Sequence, residues 1–212
     1  VWRLLIYILL SPITLILILM KKKTWDELKK PFKEFIRFAF QPKFTITIIS
    51  VNIIFFIASF FLKQTTFQSL ISYPQSILEL KFHTLITAGF LHANFSHLFF
   101  NMLGIFIFGR VVERKLGMIK TAFVYFGALI LSMLFSSLIH IFILKDNTGG
   151  IGASGALMGL VATAILLDPF YITYELIVPL PIMVVGWLSI YGDIMGVLNP
   201  VEDGIGHFAH IG

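Results

Sequence analysis

No cysteine occurs among the 212 residues of the chain. That excludes disulfide staples, thiolate zinc sites and a cysteine nucleophile, and leaves the redox compartment open, because membrane bundles seldom need bridges. Charge is scarce as well: 13% of residues are Asp, Glu, Lys or Arg against 58% hydrophobic, and mean hydropathy is +0.92. Such a chain cannot present an ordinary water-facing surface, so it reads as a membrane protein. An internal repeat and a long polar linker are also missing, which at this length favours one helical-bundle domain. The first residue is Val rather than Met, as expected of a fragment or a processed form.

What is present is a series of apolar runs near 3–20, 44–62, 96–113, 119–144, 153–167 and 171–191, with a further start near 206. Set against a hydrocarbon core about 30 Å thick, these predict seven spans, the last incomplete. Between the first two lies "KKKTWDELKKPFKEFIRFAFQPK", with Trp25, Leu28, Phe32, Phe35 and Ile36 at helical spacing against a lysine-rich face. It is either a helix lying on the membrane surface or a solvated linker beside it. Residues 21–43 hold eight of the sixteen Lys and Arg, and 110–120 hold four more. An even number of spans separates the two segments, so both are expected on the cytoplasmic side. The 64–95, 145–152 and 192–205 loops then face outward. The net charge of +5 therefore reads as topology and attraction to anionic lipid, not as nucleic-acid binding.

Polar residues inside the spans carry the chemical information. The stretch "TGGIGASGALMG", residues 148–159, places Ser154 among small residues at the mouth of an apolar run. From Ile151 to Leu167 that run measures roughly 25 Å as helix, shorter than the hydrocarbon core. With Asp168 and Pro169 marking its inner end, Ser154 is expected below the outer surface. A serine at a helix start is ordinarily an N-cap. This helix start also offers free backbone N–H groups and a positive dipole end where an anion could form. Gly152 and Gly155 permit close approach of another backbone.

A serine needs a base, and "GIGHFAHIG" brings His207 and His210 to the same outer level. They lie one turn apart, so spacing alone barely separates them, and either could instead be hydrogen-bonded within the bundle. His97 and Asn101 stand four apart at the outer end of another span and can both donate hydrogen bonds to an oxyanion. No cysteine or well-placed acid accompanies the histidines, so no metal is expected. Asp193 and Asp203 read as solvated loop residues, which favours a dyad over a triad. Gly109, Glu113 and Gly117 repeat at four-residue intervals, a pattern read as close helix packing around a hydrogen-bonded carboxylate near the inner end.

Four motifs in order, "HANFSHLFFN", "GRVVERKLG", "GASG" and "AHIG", resemble the HxxxxHxxxN, GxxxExxxG, GxSG and terminal histidine patterns of the rhomboid intramembrane serine proteases. The resemblance covers about residues 44–212. It implies an all-α polytopic membrane protein with a rhomboid-like six-helix bundle, its last helix truncated. The 1–43 segment, hydrophobic and then basic, would precede that domain as an extra. By resemblance Ser154 is the nucleophile and His210 the base, with His207 the histidine one turn earlier that is not the base. The Ser154 N–H and the side chains of His97 and Asn101 would hold the oxyanion, and His92 would support the long outer loop. Implied partners are single-span membrane substrates cut in or near their spanning segment, together with membrane lipids, and no cofactor. The 171–191 span, with Pro179 and Pro181 inside it and Trp187 near its outer end, is either a moving side gate or a statically kinked helix. The expected location is a prokaryotic plasma membrane, with the site open to the outer face. A rhomboid-fold protein that escorts clients without cutting them, and a transporter, are the competing readings.

Overall fold

A computed structural model of the chain describes residues 41–173 and 179–198, and these are mostly helical. The hydrophobic segment 1–20, nearly all of the basic segment 21–43, and the last span with His207 and His210 lie outside the described residues. In a hydrocarbon medium every backbone N–H and C=O needs a partner inside its own segment, so the long apolar runs fold as helices. They are α1 (Lys43–Ser59), α5 (Phe95–Leu116), α6 (Met118–Leu144), α7 (Ser154–Leu167) and α8 (Ile182–Leu198). Short helices α2 (Gln64–Leu70), α3 (Pro74–Leu78) and α4 (Thr84–Thr87) fill the segment between α1 and α5. Among the described residues, α5 and α6 are long and apolar enough to cross a membrane, while α1, α7 and the first part of α8 are apolar but shorter.

The core forms where α1, α5, α6, α7 and the start of α8 meet around Ile48, Ile105, Val112, Tyr125, Leu129, Leu160, Val161 and Ile182, all buried. Helix α7 is the hub. Its Gly159 abuts Ala128 of α6, and a Cβ on Gly104 of α5 would lie 2.6 Å from Leu157. Small residues at these crossings let the backbones approach until dispersion contacts form, the main attraction available between helices in lipid. Exposed Phe, Leu and Ile side chains cover the outside of the bundle, as a lipid-facing surface requires.

The GxxxExxxG segment does not act as a uniform packing stripe. Gly109 does lie close to α1: a Cβ there would sit 3.1 Å from Thr45 Cγ2. Glu113 turns its carboxylate onto the start of α1, accepting from Phe44 N–H at 2.9 Å, Thr45 N–H at 2.8 Å and Thr45 Oγ1–H at 2.8 Å. Three donors at a helix N-terminus are thereby satisfied by a negative charge where the dipole favours one. Gly117 packs against nothing within 4 Å; its φ of +79° makes the reversal between α5 and α6. There the expectation of close packing is corrected, because the chain needs a backbone conformation that side chains rarely adopt.

The prolines correct a second expectation. Residues 171–191 are not one span: two short strands, β1 (Ile172–Thr173) and β2 (Leu180–Pro181), pair antiparallel before α8 begins. Pro179 and Pro181 thus precede the helix instead of kinking it, as a residue with no N–H and a clash against the preceding turn favours. Trp187 lies only five residues into α8, roughly 7.5 Å from its start, and not near an outer end. That start is tied to the α7 terminus by Ile182 N–H to Tyr171 O at 2.8 Å. The same end carries Lys115–Asp168 at 2.9 Å and Arg114 Nη1–H to the Tyr171 hydroxyl at 3.3 Å. The cationic 110–120 turn and the end of α7 therefore share one side of the bundle, opposite Ser154.

Candidate active site

The site is assembled by two helix starts and the 64–95 segment beside them. Helix α5 begins after Asn94, whose Oδ1 accepts the His97 N–H at 2.8 Å, an ordinary N-cap. His97 thus occupies the first turn of α5. Its Nδ1 accepts the Ala93 N–H at 3.4 Å, so in the neutral ring the proton resides on Nε2. The Nε2 edge is the one turned toward Gly152: a Cβ on Gly152 would lie 2.6 Å from His97 Nε2 and 3.8 Å from Ser154 Oγ. Nε2–H and the serine oxygen therefore border one small volume, kept open because residue 152 has no side chain. Gly152 takes φ +111°, so glycine is required on conformational grounds too.

Ser154 is not the cap of its helix, contrary to the ordinary role of a serine there. Ala153 holds the N-cap position without a side-chain bond, and Ser154 is the first helical residue. Its hydroxyl makes no hydrogen bond among the described residues and is available for chemistry. Leu157 N–H to Ala153 O at 2.9 Å is the first intrahelical bond, so the N–H groups of Ser154, Gly155 and Ala156 belong to the unsatisfied first turn. They lie at the positive end of the α7 dipole, where negative charge is favoured.

Asn101 stands one turn beyond His97 on the same face of α5, is buried, and donates from Nδ2 to His97 O at 2.8 Å. Its second Nδ2 hydrogen remains to be donated, and its Oδ1 has no partner among the described residues. His92 is 3% exposed and meets the His97 ring edge to face, with centroids 5.0 Å apart. Burial first, and the neighbouring His97 second, push the His92 imidazole down to about 4 against a weaker pull from the Phe90 backbone. Neither His92 nitrogen has an ordinary hydrogen-bond partner among the described residues. His92 thus packs as a neutral ring against His97.

The 64–95 segment reaches this site directly, a feature with no signal in the residue pattern. Gly152 N–H donates to Ala88 O at 2.9 Å. Gly150 and Ser72 exchange two backbone bonds, 2.8 Å and 3.3 Å, as an antiparallel bridge. Asn94 is a further site residue that the motif spacing does not single out, although an Asn directly before an apolar run is a recognisable helix-start signal. Among the described residues no group of His, Asp or Glu is placed to hold a metal ion. The structure thus brings His92, His97, Gly152 and Ser154 together and puts Asn101 one turn away. Glu113, Gly109 and Gly117 gather at the opposite end, and Trp187 stands on the exposed side of α8.

The family model for the Rhomboid domain matches residues 79–212. The chain belongs to the rhomboid family. Among its rhomboid relatives, Rhomboid protease AarA of Providencia stuartii is 30% identical over 139 residues, 58% of this chain and 48% of that protein. RHOMBOID-like protein 12, mitochondrial, of Arabidopsis thaliana is 28% identical over 146 residues, 62% of this chain and 43% of the relative. Rhomboid-like protein 11, chloroplastic, of the same plant is 35% identical over 123 residues, 56% and 40% of the two chains. The chain spans less than half the length of each of these relatives. As a rhomboid-family chain it is an integral membrane protein, and the names of its relatives include organelle forms beside the bacterial one.

Proposed function

We propose that this rhomboid-family chain is an intramembrane serine protease that hydrolyses peptide bonds in or near the membrane-spanning segments of other proteins. The observation that carries the reading is the shared volume at Gly152, bordered by Ser154 Oγ and His97 Nε2 at the N-terminus of α7. A hydroxyl with no hydrogen bond among the described residues, the Nε2 edge of His97 and a helix N-terminus form the donor set that acyl transfer needs.

In the proposed reaction His210 accepts the Ser154 proton, and Oγ attacks the peptide carbonyl. The oxyanion then accepts from the Ser154 N–H, His97 Nε2–H and Asn101 Nδ2–H. Collapse of the adduct expels the amine, which takes its proton from His210; a water, giving its proton to His210, then attacks the acyl carbon, and the second adduct expels Ser154 Oγ, which takes that proton back from His210. The bundle would consist of α1, α5, α6, α7, α8 and a sixth span carrying His210, with residues 1–43 appended to a protease domain of 44–212. Trp187, exposed on α8, is assigned to the side from which substrate enters. We place the protein in a prokaryotic plasma membrane with the Ser154 end outward. The cationic turn at the opposite end of α5 supports that orientation.

The test is reconstitution with a single-span substrate carrying a labelled ectodomain. Parent protein should release the label, and Ser154→Ala and His210→Ala should not. Release that persists in both variants refutes the dyad. Retention of substrate without release by the parent protein would favour an escort instead. A fluorophosphonate probe should label Ser154 only while His210 is intact.

A further inference from the structure

Two segments far apart in sequence close on each other just before Ser154. Asn147 Oδ1 accepts the Gln75 N–H at 3.0 Å, Gly150 and Ser72 exchange backbone bonds of 2.8 Å and 3.3 Å, and Gly152 N–H donates to Ala88 O at 2.9 Å. Gly149 lies between the first two of these ties and makes the closest approach. A Cβ there would stand 2.6 Å from Ile71 Cγ2, 2.7 Å from Tyr73 Cε1 and 2.8 Å from Tyr73 Cδ1. Carbon atoms in contact keep about 3.5–4.0 Å, so a methyl group on residue 149 would force a separation of roughly 1 Å. Retreat is restricted on the other side as well: Gly150 faces α6, where a Cβ would lie 3.2 Å from Met133 Sδ. Ile71 and Met133 are both buried. The 149–150 backbone is thus confined between the 71–73 segment and α6.

We propose that the docking of residues 147–150 on 71–75 sets the geometry of the reaction, and that Gly149, at its tightest contact, is a positioning residue for Ser154. This rests on the reading of Ser154 as nucleophile. Residue 149 meets Ile71 and Tyr73, not Ser154 or His97, so it acts on placement and not on the charge that develops. The route to the site is short and stiff. Gly152 borders both Ser154 Oγ and His97 Nε2, and Ala153, between Gly152 and Ser154, is fully buried. A displacement at residue 149 therefore has little room to dissipate before it reaches the hydroxyl. His97 does not move with it, because that ring is anchored separately: Asn94 Oδ1 accepts its N–H, and its Nδ1 accepts the Ala93 N–H. Pushing the 149–152 backbone off the 71–73 segment thus changes the distance between the two groups instead of carrying both together.

The experiment measures kcat and KM of the reconstituted protein on the single-span substrate, and the rate at which a fluorophosphonate labels Ser154, each per folded molecule. Gly149→Ala should lower kcat by about 10- to 100-fold with KM unchanged, and should slow labelling by a similar factor. In a background trimmed by Ile71→Ala and Tyr73→Ala, the same substitution should cost less than about twofold, because the side chains it strikes are gone. Asn147→Ala loosens the docking without adding bulk and should lower kcat by about threefold, while Asn147→Asp keeps an acceptor for the Gln75 N–H and should restore the rate. An equal loss from Gly149→Ala in both backgrounds, or parental kcat and labelling in folded Gly149→Ala, overturns the proposal and leaves Ser154 standing. Where Gly149→Ala does not fold, parental kcat in Asn147→Ala overturns it. Cleavage that survives Ser154→Ala overturns the nucleophile instead. Hydrogen exchange of residues 149–153 in that background, expected to be faster with Gly149→Ala, then still decides whether the contact holds the turn.

Discussion

Gly152→Ala is the sharpest perturbation of the site, because one methyl group acts on two constraints at once. The backbone there has φ +111°, a conformation that costs a non-glycine residue about 1–3 kcal/mol. The added Cβ would also lie 2.6 Å from His97 Nε2 and 2.7 Å from Cε1, so the ring must retreat by roughly 1 Å. His97 cannot follow freely, since its backbone N–H is held by Asn94 and its Nδ1 by the Ala93 N–H. A displacement of that size in a preorganised donor costs about 100-fold in rate, or about 2.7 kcal/mol. The loss should fall on kcat with KM unchanged, because the donor bonds a charge that exists only in the transition state. Single-turnover cleavage in proteoliposomes reads the effect, and unfolding in mixed micelles reads the backbone strain separately. Parental kcat in a folded Gly152→Ala protein would refute the assignment of His97 Nε2–H to the oxyanion.

Three further outcomes follow from the same geometry. Asn101→Ala should lower kcat by about 100- to 1,000-fold if its second Nδ2 hydrogen meets the oxyanion, whereas a loss confined to unfolding stability would assign it to α5 alone. Glu113→Gln replaces one acceptor oxygen by a donor against the N–H groups of Phe44 and Thr45, and should cost about 1–3 kcal/mol of stability, measured by unfolding, with the rate per folded molecule unaltered. The His92 imidazole is held down to about 4 in the folded protein, so the unfolded chain binds the extra proton first as pH falls. Its contribution is therefore fully present above about pH 6.5 and lost progressively toward pH 4, on the order of 3 kcal/mol at most. Unfolding measured across pH 4–7 should show that slope flattened in His92→Gln; an identical slope in both proteins would contradict burial of the His92 ring as its cause.

The legible part of the fold was the part governed by the medium. Apolar runs expected at 96–113, 119–144 and 153–167 appear as α5, α6 and α7 with ends displaced by at most three residues. That follows because hydrocarbon leaves a chain little alternative to helix. Legibility failed where water and long-range contacts decide. The 64–95 loop contains three short α-helices, and its Ala88 carbonyl and Ser72 backbone reach residues 150–152, a pairing across more than sixty residues that no local pattern announces. Gly117 and Gly109 look alike in the motif yet do different work, one turning the chain and one admitting Thr45. Pro179 and Pro181 fall within an apolar run, although the absence of a proline N–H favours a helix that starts after them.

From its residues alone the chain was already a membrane bundle with a polar cluster of Ser154, His97 and Asn101 at one level, because hydropathy and the spacing of motifs are local properties written in order along it. Only the tertiary structure decided that the His97 ring lies against Gly152 with its Nε2 edge toward Ser154, that Ser154 is left uncapped, and that Glu113 closes the start of α1. Those outcomes depend on which backbones approach within a few ångströms, and such distances arise from the packing of helices far apart in sequence.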